Sequence, residues 1–242
     1  LSERSARGYE RVGSLVRPLL HSLAGVAAQT QADAARLEAL GARDVAVTGN
    51  LKFDLGVPDG ARGLASRMRA MFGASRPVVL AASTRDGEEA AILDALARSP
   101  LAVDALLVIV PRHPQRFDDV AAMLAARGIS HARRSQDRPV PADVRVVLGD
   151  SMGEMAGYYG AADVAFVGGS LVPLGGQNLI EAITMGVPVL VGPHTFNFAD
   201  AADGAVAAGA ALRVADADAM LAAAAALLDD APRREAMRSR AE

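Results

Sequence analysis

The feature that most constrains this chain is an alternation of short, continuously apolar runs with longer alanine- and leucine-rich stretches of helical period. The runs at 25–29, 45–48, 78–82, 105–110, 144–148, 164–167, 188–191 and 211–214 read as strands. The stretches at 31–40, 87–97, 116–126, 155–159, 178–185 and 198–208 read as helices. A strand apolar at successive positions has both faces buried, the condition of a parallel sheet covered by helices on both sides. The pattern therefore predicts βαβ units in an α/β, Rossmann-like, doubly wound parallel sheet.

The alternation breaks once, at Gly49-Asn50 and the turn-rich 56–60, and restarts near Val78. Residues 1–54 read as the C-terminal part of one Rossmann-like domain and 55–75 as an interdomain connection. Residues 76–230 read as a complete Rossmann-like domain, and 231–242 as a charged C-terminal helix. The 242 residues suffice for a buried core, and 51% apolar with 22% charged residues is a globular balance. The absence of cysteine excludes disulfides, thiolate metal sites and cysteine nucleophiles. A net charge of −3 lacks the clustered basic face of a nucleic-acid binder. The longest apolar runs are too short to span a bilayer. Leu1, Ser2, Glu3 and Arg4 carry no signal-peptide pattern and read as a start inside a longer protein.

Candidate chemistry collects in the turns that follow strands. Gly168-Gly169-Ser170 and Gly175-Gly176-Gln177-Asn178 lie between the strand ending at Val167 and the next helix. Glycines there let the backbone approach a ligand, and a helix N-terminus offers free N–H groups to a phosphate. Glu181, three residues after Asn178, can accept hydrogen bonds from ribose hydroxyls; a capping box formed by Asn178 and Glu181 is the plainer account of that pair. In Pro111-Arg112-His113-Pro114, Arg112 can pair a phosphate or carboxylate and His113 can do acid/base work, although a basic turn opening a helix would read the same. Gly149-Asp150-Ser151-Met152-Gly153-Glu154 and Ser83-Thr84-Arg85-Asp86-Gly87-Glu88-Glu89 are two more strand-to-helix turns in which capping alone suffices. Four such turns after successive parallel strands converge on one sheet edge, where open α/β sheets bind ligands. That convergence favours a nucleotide-type cleft. Lys52, at the domain junction, could neutralise a leaving phosphate or simply be a solvated lysine. The loop 192–198 carries two phenylalanines that could cover a base or pack between helices.

Taken in order, G-N-L-K-F-D at 49–54, A-S-T-R-D-G-E-E at 82–89, V-P-R-H-P at 110–114 and G-D-S-M-G-E at 149–154 resemble one known family, as do F-V-G-G-S-L at 166–171, G-G-Q-N-L-I-E at 175–181 and G-P-H-T-F-N-F at 192–198. The chain resembles the 3-deoxy-D-manno-octulosonic acid (Kdo) transferases over nearly its whole length, least so across 120–145 and after Val214. The resemblance implies a GT-B glycosyltransferase fold and inverting, metal-independent transfer of Kdo from CMP-Kdo to a lipid A precursor. It requires no cofactor, and it implies a membrane-associated parent protein at the cytoplasmic face of the bacterial inner membrane. It places donor binding on Pro111, Arg112, Met152, Gly153, Glu154, Asn178, Leu179, Ile180 and Glu181, and transition-state stabilisation on Lys52. The family's general base, a glutamate early in the first domain, is expected upstream of Leu1. Gln177 stands where many relatives carry histidine.

Two other readings share the architecture, because fold does not fix function. One is a nucleotide-sugar epimerase or another GT-B transferase using a UDP-sugar. The other is a nucleotide-binding fragment without turnover.

Overall fold

The apolar runs become the strands of one seven-stranded sheet in which every neighbouring pair is parallel. The structure is a computed structural model that describes residues 1, 3–48 and 56–240. The chain divides into two compact units, Leu1–Leu55 and Gly56–Glu242.

The smaller unit contains α1 (Glu3–Arg11), α2 (Gly13–His21), β1 (Val26–Ala28), α3 (Gln31–Ala39) and β2 (Val45–Val47). β1 and β2 pair in parallel, Val26 opposite Val45. Thr30 stops the chain from extending β1 and starts α3, its hydroxyl accepting from the Asp33 N–H at 3.1 Å. α2 buries none of its residues completely, and Leu15 and Leu19 stand exposed one turn apart.

The larger unit begins with α4 (Ala61–Phe72), β3 (Val78–Thr84), α5 (Glu88–Leu96), β4 (Leu106–Pro111), α6 (Phe117–Ala126) and β5 (His131–Arg133). It continues with β6 (Val146–Leu148), α7 (Met155–Ala161), β7 (Val164–Val167), α8 (Ile180–Thr184) and β8 (Val189–Val191). α9 (Ala199–Ala208), β9 (Ala211–Arg213), α10 (Ala217–Asp229) and α11 (Ala231–Ser239) complete it. The strand order is β5-β6-β4-β3-β7-β8-β9. The chain runs outward in one direction from β3 through β4 and then returns to β7 on the other side of β3. The topological switch point therefore lies between β3 and β7, where a doubly wound sheet opens a crevice at its carboxyl edge.

Alternate residues of each strand feed two cores. Val78, Leu80 and Ala82 of β3 face Met68 and Phe72 of α4 and Tyr158 and Tyr159 of α7, with α8 and α9 on the same side. Val79 and Ala81 face Ile92 and Leu93 of α5, with α6, α10 and Met237 of α11 opposite the first layer. Burial on both faces is what the unbroken apolar runs require.

Three elements differ from the sequence expectation. Residues 61–72, read as connection, form a helix of the larger unit, because Ala65, Met68 and Phe72 recur at helical spacing and are buried. β5 carries His131, Ala132 and Arg133, all half-buried, and an edge strand with polar side chains has no apolar run to announce it. The helix expected from Asn178 starts at Ile180 and is five residues long. The Asn178 side chain accepts from the Ile180 N–H at 3.1 Å and forms a local turn there instead.

Candidate functional site

The turns after β3, β4, β6 and β7 all leave the carboxyl edge of a parallel sheet, so topology alone places them together. β3 ends in a register shift between Ala82 and Thr84, with Ser83 at φ +53. A non-glycine residue in that conformation is strained, and such strain concentrates at functional edges. The Thr84 carbonyl beyond the bulge accepts from the Arg112 N–H at 2.9 Å, which fixes the start of the β4 turn.

Pro111 is the buried last residue of β4, and Arg112 emerges exposed from it. The Arg112 Nε–H donates to Gln177 Oε1 at 3.3 Å, joining the β4 turn to the turn before α8. No carboxylate pairs with Arg112 among the described residues. His113 is exposed beside it. Arg85, half-buried on the β3 turn, likewise has no side-chain hydrogen bond or ion pair among the described residues. A Cβ added at Gly169 would stand 3.1 Å from Gln177 Nε2 and 3.5 Å from Arg85 Cγ. The Arg85 stem and Gln177 therefore flank Gly169, and Gln177 carries the bond to Arg112.

The β6 turn divides its roles. Asp150 is structural: its carboxylate takes the Arg133 Nε–H at 2.6 Å, the Ser135 N–H at 2.8 Å and the Ser135 hydroxyl at 2.7 Å. Burial alone would raise its pKa, but the Ser135 and Arg133 hydrogen bonds outweigh burial and hold it below the ordinary aspartate value. Ser151 is hydrogen-bonded to the Tyr158 hydroxyl at 2.7 Å. Neither residue caps α7. Met152 and Gly153 are exposed, and Gly153 takes φ +75. Glu154 accepts from Arg134 through Oε1 at 3.1 Å, while its Oε2 is buried without a hydrogen-bond partner among the described residues.

In the turn before α8, Gly175 and Gly176 both take positive φ. Leu179 and Ile180 are buried and anchor the short helix. Glu181 is half-buried and makes no hydrogen bond or ion pair among the described residues. Burial pushes its pKa above the ordinary glutamate range. Its charge also adds to burial in raising the phenol of Tyr159. The capping box does not form: Asn178 bonds Ile180, Leu179 occupies the N-cap position, and Glu181 reaches back to nothing.

One group escaped sequence reasoning. Glu88 and Glu89, read as the acidic opening of α5, are fully buried. Glu89 holds Thr84 Oγ1 at 3.0 Å and Arg116 at 3.1 Å; burial raises its pKa against those bonds. Glu88 accepts four backbone N–H groups, three of them from residues 169–171. The glycine turn expected to approach a ligand thus spends its donors inside the protein. The only available signal was a pair of adjacent acids directly after a helix-opening glycine, a pattern that surface helices share.

Lys52 lies outside the described residues. A cavity of about 600 Å³ opens away from these turns, between α4 and the ends of α7 and α8. It is lined by Arg62, Ser66, Arg69 and Met185 and by none of the turn residues, and Arg69 is held there by Asp163 at 2.9 Å. This cavity and the site chemistry thus lie in different places, and the unpartnered acceptor Glu181 and cation Arg112 sit at the carboxyl edge.

Comparison with known proteins adds an independent axis. The family model described as 3-deoxy-D-manno-octulosonic-acid transferase (kdotransferase) matches residues 1–55, and that of group 1 glycosyl transferases matches residues 130–242. A 3-deoxy-D-manno-octulosonic acid transferase of Bordetella pertussis is 48% identical over 241 residues, 96% of this chain and 56% of the relative. Its counterpart in Haemophilus influenzae is 39% identical over 204 residues, 82% of this chain and 47% of the relative. The chain thus spans about half the length of the curated relatives it matches. Among solved structures, the C-terminal CMP-Kdo binding domain of WaaA from Acinetobacter baumannii superposes with a TM-score of 0.70 at 36% identity. The match covers 75% of this chain and 95% of that domain.

Proposed function

The chain belongs to the Kdo transferase family, with the α/β architecture of GT-B glycosyltransferases, and from that premise we propose that it supplies the donor side of Kdo transfer from CMP-Kdo to a lipid A precursor. The observation that carries this reading is the pairing of an unpartnered acceptor with an unpartnered cation at one sheet edge. Glu181 is partly buried without receiving a donor among the described residues, and the Arg112 side chain hydrogen-bonds there only to the neutral Gln177. A ribose supplies hydroxyl donors for the first, and a nucleotide phosphate supplies charge for the second. Asn178, Leu179 and Ile180 present Glu181, and the exposed Met152 and Gly153 offer a further wall with Glu154.

In the proposed reaction an acceptor hydroxyl oxygen attacks the anomeric carbon of Kdo and the bond from that carbon to the phosphate oxygen breaks. CMP departs with the electron pair, and the acceptor proton passes to a glutamate base on the acceptor-side domain. The transfer inverts the anomeric centre. Arg112 and Lys52 meet the charge that develops on the leaving phosphate, a role side-chain cations can fill without a metal. Residues 1–54 would belong to the acceptor-side domain, and the setting is the cytoplasmic face of the bacterial inner membrane, where a lipid acceptor is presented.

Titration calorimetry with CMP and with UDP tests the donor half. CMP is expected to bind and UDP to compete poorly; preference for UDP would replace this reading with that of a UDP-sugar enzyme. Equal CMP affinity in Arg112→Ala, Glu181→Ala and the parent would remove the site assignment.

A further inference from the structure

The switch-point crevice between β3 and β7 is where a Rossmann-like sheet offers backbone N–H groups to a phosphate. Here three successive N–H groups, those of Gly169, Ser170 and Leu171, point into that crevice with Gly169 at φ +71. Such a run makes an anion-binding concavity. It is already filled. The Glu88 carboxylate, fully buried at the start of α5, accepts the Gly169 N–H at 2.7 Å and the Arg85 N–H at 2.9 Å through Oε2. Its Oε1 accepts Ser170 at 3.0 Å and Leu171 at 2.9 Å. The fit is close: a Cβ on Gly168 would come within 2.6 Å of the Ser83 carbonyl oxygen and 2.9 Å of Glu88 Oε2.

The turn that Glu88 holds in turn holds two others. The Gly169 carbonyl accepts from Gly176 at 2.7 Å, and the Ser170 carbonyl accepts from His194 at 2.9 Å. The Ser170 hydroxyl donates to the Val167 carbonyl at 2.6 Å and accepts from the Gly192 N–H at 2.8 Å. The Gly175 carbonyl then accepts from Asn197 at 2.9 Å, closing the loop after β8 onto the loop before α8.

We infer that Glu88 is a positioning residue whose carboxylate takes the place a donor phosphate would occupy in the 169–171 amide nest. It closes the switch-point crevice to that phosphate and sets the two loops that present Glu181 and His194. The donor's negative charge is then met by side chains at the rim, Arg112 and the neighbouring unpartnered Arg85, rather than by the glycine turn. This rests on reading the carboxyl edge as a CMP-Kdo site.

The first test uses the unaltered protein and amide NMR. The N–H groups of 169–171 are expected to resist hydrogen exchange without ligand and to shift little on saturation with CMP, while the Arg112 and 179–181 amides shift more. Rapid exchange at 169–171, or the largest CMP-induced shifts there, would overturn the inference. The second test is Glu88→Gln, which keeps size but turns an NH2 group toward two N–H donors. Its CMP affinity should fall by about tenfold or more. Leu93→Ala, on the same helix but facing the core, should lose thermal stability and keep the parent affinity. Unchanged CMP affinity in Glu88→Gln would sink the idea. If that variant does not fold, the exchange pattern of the parent still decides. If the parent itself fails to bind CMP, the functional reading fails, and the exchange data judge the filled nest separately.

Discussion

Glu88 and Glu181 each stand in the first turn of a helix that follows a glycine-bearing turn at the end of a strand. Their surroundings are opposite. Glu88 is completely buried and accepts four backbone N–H groups. Glu181 is half-buried and accepts none among the described residues. A buried carboxylate saturated by charge-assisted bonds rigidifies what surrounds it. One desolvated without partners is a cost to the fold that a ligand with hydroxyl donors can recover. Hydrogen-bond accounting, rather than position in a motif, separates scaffold from site.

The largest expected effect tests that contrast through stability. Glu88→Ala leaves four N–H groups, two of them buried, without an acceptor and should cost about 3 to 5 kcal/mol in urea unfolding. Glu181→Ala removes a charge that nothing pays for, and its stability should stay within about 0.5 kcal/mol of the parent or rise. Equal losses in the two variants would dissolve the comparison. Ligand affinity should show the reverse order of purpose. Glu181→Ala and Arg112→Ala should each weaken CMP binding about ten- to a hundredfold, the worth of one charge-assisted hydrogen bond, with melting temperatures unchanged. A smaller loss, about three- to tenfold, is expected for Arg85→Ala, whose side-chain stem passes Gly169 beside Gln177 but is not bonded to it. An Arg85→Ala variant with parental affinity would confine the donor charge to Arg112.

The same contrast explains what the sequence made legible. β3, β4, β6, β7 and β8 are visible because burial on both faces leaves continuous apolar runs, and their parallel order follows from the intervening helices. β5 stays hidden because its His131 and Arg133 keep an edge strand polar. α4 is masked by Gly56, Pro58 and Gly60, whose turn signals outweigh the spacing of Ala65, Met68 and Phe72 that buries it. At the carboxyl edge the positions of the turns are legible, but the destination of their N–H groups is not. Residues 88 and 169–171 are some eighty positions apart, and no local pattern announces that one feeds the other. The Arg112–Gln177 bond is hidden for the same reason. Asn178 misleads by a shorter route, since its side chain competes locally for the N–H that a longer helix would have used.

Proton linkage gives the smallest effect and the cleanest sign. Burial raises the Glu181 pKa in the free protein, so the folded state holds its proton more tightly than the unfolded chain does. The stability this contributes is fully present below the unfolded glutamate pKa and is lost as pH rises through the higher folded value. Unliganded protein should therefore gain a little stability, on account of Glu181, as pH falls from neutrality toward the unfolded glutamate value. CMP affinity should move the other way, because a protonated carboxyl gives up the acceptor that ribose hydroxyls need. Asp150 provides the internal contrast. Its pKa is lowered, chiefly by Ser135 and Arg133 overcoming burial, so its contribution is present above the unfolded aspartate pKa and is lost only as pH falls through the lower folded value. Its window lies below about pH 4 and leaves nucleotide affinity near neutrality untouched. Paired titrations of stability and CMP affinity should thus diverge in the parent, and Glu181→Gln should keep only the affinity change that titration of the CMP phosphate itself imposes. If the Gln variant keeps the parent's full pH dependence of CMP binding, another group carries it and Glu181 is not the ribose acceptor.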